Sequence, residues 1–144
     1  MPGDGVPRRR KPTDTERREA RARVEDPAEV LDAAARFLET RPRSAAEVRR
    51  RLASMGYRTQ LVEDAVRRMT ELGYLDDEAF ARAWVASRDR ARPRGGHALR
   101  RELQLKGVER DVIDEVLSER DDDAAVDGGG ESAGECNTAV DRAR

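Results

Sequence analysis

Six arginines gather in one short stretch: Arg88, Arg90, Arg92, Arg94, Arg100 and Arg101, with Asp89 as the only acid among them. A guanidinium is a planar fork of donors that matches phosphate and carboxylate oxygens in pairs. The run surrounds Pro93, Gly95 and Gly96, which break the chain, and then opens a helix. At such a place arginine side chains and free backbone N–H groups face the same anion. Contacts of this kind position a protein on a polyanion without reading base sequence. Arg49, Arg50 and Arg51 form a second group on an equivalent upstream helix and extend the candidate contact to a stripe. The competing reading is an ordinary solvated helix face.

Other chemistry is poorly represented. Asp76-Asp77-Glu78 has the residue types of an acidic metal site. A helix start explains it better: Asp76 caps, and Asp77 and Glu78 complement the positive end of the helix dipole. His97 and Cys136 are each the only residue of their type. They exclude a His cluster, an internal disulfide and a Cys-based metal site. No nucleophile sits in a recognisable elbow and no Gly-rich phosphate loop is present. The expectation is no enzyme, no cofactor and no metal.

The totals agree with a small helical protein. Of 144 residues, 41% are charged and 3% aromatic, which leaves material for a modest core of Ala, Val and Leu. All but two of the 29 basic residues are arginine, the exceptions being Lys11 and Lys106. Net charge is −1 but unevenly spread. Residues 1–24 carry eight basic and four acidic side chains, and residues 119–144 carry three and eight. A near-neutral total therefore does not argue against a polyanionic partner. No apolar run approaches the ~20 residues of a membrane span. A reducing, cytoplasmic setting, no membrane and a monomer are the expectations.

The helices that must carry these residues are legible from caps and periodicity. Residues 1–25 read as a disordered basic arm, with its patch at Arg8–Lys11. Asp26-Pro27-Ala28-Glu29 is a strong helix start, followed by Val30, Leu31, Ala34, Phe37 and Leu38 at helical spacing up to Pro42. Ser44-Ala45-Ala46-Glu47 reads as a capping box for a helix over 45–55 that Gly56 ends. Thr59 is expected to cap the next helix, on which Leu61, Val62, Ala65, Val66, Met69 and Leu72 recur before Gly73. Asp76 caps a helix bearing Phe80, Ala81, Trp84 and Val85. Two more are predicted, over 96–106 with Leu99 and Leu103, and over 110–118 with Val112, Ile113, Val116 and Leu117. Phe37, Phe80 and Trp84 fall on the apolar stripes and belong in a core. Tyr57 and Tyr74 each follow a helix-ending glycine and are expected to seal neighbouring helices, with the hydroxyl at the surface. Residues 119–144 read as a solvated acidic tail.

The pattern occurs twice. A single offset lays Arg49 on Arg100, Arg50 on Arg101, Leu52 on Leu103 and Gly56 on Gly107. The same offset takes Leu61, Val62, Ala65 and Val66 to Val112, Ile113, Val116 and Leu117. Phe37 pairs with Trp84 and Leu38 with Val85 once the longer loop at 88–96 is allowed for. The expected fold is all-α: two tandem three-helix repeats, 26–74 and 75–118, between an arm (1–25) and a tail (119–144).

These residues resemble the RecX regulators of the bacterial recombinase RecA. The resemblance rests on Leu52-Ala53-Ser54-Met55-Gly56-Tyr57, then Leu72-Gly73-Tyr74-Leu75-Asp76-Asp77 with Phe80-Ala81. Gly95, Glu102-Leu103 and Lys106-Gly107-Val108 continue it, so that it covers roughly 28–118. It implies tandem three-helix repeats, no cofactor and a cytoplasmic role. It further implies binding along the groove of a RecA–DNA filament, with suppression of the recombinase in DNA repair and recombination. Single-stranded or duplex DNA within that filament would be the second partner. Such proteins commonly have three repeats, and here an acidic, Gly-containing stretch stands after the second. Two alternatives stay open: a stand-alone helical DNA-binding protein, since short-turn helix pairs resemble helix-turn-helix units, or a scaffold that binds another protein through its acidic tail.

Overall fold

The computed structural model describes residue 3 and residues 5–125. Seven helices and no strand occur among them: α1 (Asp14–Ala22), α2 (Pro27–Thr40), α3 (Ala45–Met55), α4 (Thr59–Glu71), α5 (Asp77–Ala91), α6 (Gly96–Leu105) and α7 (110–125). Their packing divides the chain into two units. The first takes the residues up to Arg43 together with Glu47–Leu75, and the second takes Ser44–Ala46 and the residues from Asp76 onward.

In unit one, α2 packs on α4, and Val30, Ala34, Val48, Leu52, Val62, Val66 and Met69 are buried. Helix α2 starts as its residue types dictate: Asp26 accepts the Ala28 N–H at 3.0 Å, and Pro27 takes the first helical position. Helix α4 departs from expectation. Thr59 is already helical, and extended Arg58 precedes it without a side-chain cap. The Arg58 guanidinium instead donates to the Ala22 carbonyl at 3.0 Å.

Unit two has its own cluster: Phe80, Ala81, Val85, Leu99, Leu103, Val108, Ile113, Val116 and Leu117, with Trp84 and Val112 packed against it. Leu52 and Leu103, paired by the internal offset, are both completely buried. Each such leucine contributes roughly 1.5–3 kcal/mol by leaving water. Gly107 ends α6 with φ +76°, where a side chain would strain the backbone. Its N–H bonds the Gln104 carbonyl and the Val108 N–H bonds that of Leu103, which settles the helix's last carbonyls and turns Val108 into the core.

Ser44–Ala46, the entry to α3, belongs to unit two for a visible reason. The Ala45 N–H donates to Asp77 at 2.8 Å, and the buried Ser44 hydroxyl donates to the Lys106 carbonyl at 2.5 Å. Asp77 therefore serves the first turn of α3 as well as lying in the first turn of α5.

Three expectations need correction. The stretch 1–25 is not without structure. Helix α1 occupies Asp14–Ala22, opened by a capping box in which Thr13 and Glu16 bond each other's backbone N–H groups. It buries no side chain, so no apolar stripe announced it. The last helix does not end at 118 but continues through residue 125, the last residue described, and Glu119 and Arg120 have partners in unit two. Tyr57 is buried as expected, but Tyr74 is 69% exposed. The remainder of the expected acidic tail, 126–144, lies outside the described residues.

Candidate nucleic-acid interface

The nine arginines singled out from the sequence fall into two groups, Arg49–Arg51 on α3 of unit one and the other six on unit two. On α3, Arg49 pairs with Glu63 at 3.0 Å. Arg51 is exposed, with its guanidinium 5.7 Å from the Phe37 ring centroid, and Arg50 is exposed.

On unit two, half of the basic run is engaged by acids of the same unit. Arg88, on the last turns of α5, contacts Glu102 at 3.2 Å and lies 4.7 Å over the Trp84 ring. Arg94, in the loop, meets the other Glu102 oxygen at 2.6 Å. The Trp84 indole N–H donates to the same carboxylate at 2.7 Å. Arg100 pairs with Asp114. Burial pushes the Glu102 carboxyl up, but the Trp84 hydrogen bond, Arg88 and Arg94 together outweigh it and hold it below its ordinary value. The loop is also fastened from α7. Arg120 grips Asp89 with two N–H groups, at 2.9 and 3.0 Å, and donates to the Arg94 carbonyl at 2.8 Å.

What remains for a ligand is Arg90, Arg92 and Arg101. All three are exposed and make no ion pair within the described residues. They bracket the start of α6, whose N-cap, Gly95, gives no side-chain cap, so its first N–H groups stay open to an anion. Arg88 and Arg94, held on Glu102, fasten this loop, and Arg90, Arg92 and Arg101 give it charge.

The sequence missed the partners that divide the run this way. Glu102 entered the sequence reading only as part of the family resemblance, with no role assigned to it, and Arg120 lay in the expected tail. Trp84 was expected in the core and is only partly buried, with its polar edge satisfied.

The acidic triplet behaves as helix-terminal chemistry. Asp76 accepts the Ala79 N–H at 3.1 Å, Asp77 accepts from Ala45, and Glu78 pairs with Arg82 at 2.7 Å. Glu78, Glu115 and Glu119 bring carboxylate oxygens within 4.8 Å of one another. Arg82 already bonds Glu78 and Glu119, and the bond from Arg82 holds the Glu119 carboxyl below its ordinary value. The charge a metal ion would neutralise is thus met by a guanidinium.

Among its described residues the chain is an all-α protein of two helical units, each with its own buried core and exposed arginines. Similarity to known proteins gives the family. Residues 31–69 match the model of the first three-helix domain of RecX, and residues 76–117 match that of the second. The chain is 35% identical over 99 residues to the regulatory protein RecX of Chlorobium phaeobacteroides, covering 69% of this chain and 66% of that one. With RecX of Prosthecochloris aestuarii it shares 38% over 96 residues, covering 67% and 64%. With that of Mycolicibacterium vanbaalenii it shares 40% over 96 residues, covering 67% and 49%. A crystal structure of a regulatory protein RecX has the same fold over 74% of this chain and 48% of that one, with a TM-score of 0.60 and 18% identity. The chain belongs to the RecX family, whose members are regulatory proteins and not enzymes. It spans less than two thirds of the length of these relatives. No helix among the described residues is long and apolar enough to cross a membrane.

Proposed function

We propose that this chain is a non-catalytic regulator that lies along a RecA–DNA filament in the cytoplasm and restrains the recombinase during DNA repair and recombination, including the SOS response. Membership of the RecX family supplies the partner. The observation that carries the interaction is the set Arg90, Arg92 and Arg101, exposed and without an ion pair among the described residues, around the start of α6, which has no side-chain cap. These cations meet phosphates of the filament's DNA or acidic side chains of RecA, and Arg49–Arg51 add to them from unit one. Such contacts are electrostatic and independent of base sequence, as a protein that must follow any filament requires.

The test is RecA-driven ATP hydrolysis on single-stranded DNA with this chain added. The parent slows hydrolysis. Arg90→Ala/Arg92→Ala/Arg101→Ala, folded as judged by circular dichroism, loses most of that effect. No slowing at excess parent protein contradicts the reading. Salt-sensitive duplex binding with RecA hydrolysis untouched would favour the stand-alone DNA-binding reading instead.

A further inference from the structure

Unit one holds an open cleft of about 550 Å³ to which α1, α2 and α3 each bring one arginine: Arg21, Arg36 and Arg51. Arg36 is exposed and makes no ion pair within the described residues. Arg51 is exposed and, among the described residues, tethered only by its approach to the Phe37 ring, which Arg43 also covers at 4.0 Å. Arg21 donates one N–H to the Met55 carbonyl at 3.3 Å, and a guanidinium carries four more. Glu29 and Asp32 also line the cleft. Three cations against two acids leave a small positive excess, which suits one placed phosphate better than general attraction of a dense polyanion.

The part played by α1 is the unexpected feature, because α1 precedes both regions matched by the family models. It is seated by a specific contact and not by a greasy face. Gly56 ends α3 with φ +105°, and a Cβ there would stand 2.6 Å from the Arg18 carbonyl oxygen, so the backbone of α1 rests directly on this glycine. Arg58 then holds the far end of α1 at Ala22. Together these fix Arg21 beside Met55 and the cleft.

We infer that α1 completes, with α2 and α3, a phosphate-binding cleft for single-stranded nucleic acid, with Arg21, Arg36 and Arg51 as its contacts. The inference rests on the proposed function, in which the chain meets nucleic acid, and it adds a site on unit one that the α6 loop does not supply. A flexible strand can turn one phosphate into a recess of this size, whereas a stiff duplex presents its phosphates on a convex surface.

The test is fluorescence anisotropy of a labelled single-stranded oligonucleotide titrated with the full 144-residue chain over a salt series. Arg36→Ala/Arg51→Ala weakens binding at least tenfold at low salt, and the plot of log affinity against log salt flattens by about 0.7 for each phosphate that the variant no longer neutralises. Arg21→Ala weakens it severalfold. Arg67→Ala/Arg68→Ala, which removes equal charge from the exposed side of α4, stays within twofold of the parent. Equal behaviour of the two double variants overturns the cleft, and parental affinity in Arg21→Ala overturns the role of α1. Two failures are distinguishable. A parent that binds the strand and slows RecA while Arg36→Ala/Arg51→Ala matches it sinks only the cleft. A parent that binds no strand and leaves RecA untouched sinks the wider reading.

Discussion

Glu102 decides which arginines can act outside the molecule. Its carboxylate collects Arg88, Arg94 and the Trp84 indole, and its side chain keeps 16% of its surface exposed. A carboxyl whose folded pKa is depressed contributes stability that is complete above its unfolded value, near 4.3, and is lost as pH falls through the lower folded value. Trp84 is the only tryptophan, so its emission reports this site directly. The emission should therefore change on acidification with a midpoint below about 4.3, and Glu102→Gln should remove the transition. A midpoint at or above that value would mean that burial outweighs the three partners. Glu102→Ala should cost roughly 1–3 kcal/mol in urea unfolding, because it leaves a part-buried indole N–H and two guanidinium groups without their acceptor. None of this was legible from sequence. The spacing of the arginines was plain, but Glu102 is held by residues from α5 and the loop, and no local period links them.

Elements with an apolar stripe were legible, and the one without a buried face was not, although Thr13 and Glu16 give it a capping box. Asp26, Asp76, Gly73 and Gly107 stand where their types predicted, and α2 to α6 follow. Helix α1 escaped because it has no buried face; it docks through backbone, a glycine and two arginines. That difference can be measured. Gly56 and Gly73 both have positive φ, +105° and +83°, but an added Cβ meets α1 at the first and nothing within 4 Å at the second. Gly73→Ala should cost only the left-handed backbone penalty of about 1–2 kcal/mol. Gly56→Ala should cost clearly more in urea unfolding and should speed tryptic cleavage within α1 several-fold, as α1 leaves its seat. Equal costs and unchanged proteolysis would show that α1 does not rest on Gly56 in solution.

Across the whole chain, the duplication was legible because each repeat carries its own glycine stop and buried leucine, and the two family-model matches fall on the same two stretches. The continuation of the last helix was harder to read, since the charge-rich sequence after Ser118 looks like a tail by composition alone. Yet Glu119 bonds Arg82 at 3.0 Å, and Arg120 bonds Asp89 and the Arg94 carbonyl. A cut after residue 118 therefore removes structure along with the acidic stretch. It should lower the stability of unit two by roughly 1–3 kcal/mol, the scale of a part-buried charged hydrogen-bond set, and loosen the arginine loop that Arg120 fastens. A cut after residue 125 keeps Glu119 and Arg120 and should leave both stability and the slowing of RecA hydrolysis near parental values. Measured side by side, the two truncations separate a structural role of α7 from a binding role of the acidic sequence beyond it. If the shorter deletion alone abolishes the effect on RecA while unit two unfolds as the parent does, the acidic tail is the partner-binding element, and the exposed arginines of α5 and α6 are an ordinary solvated face.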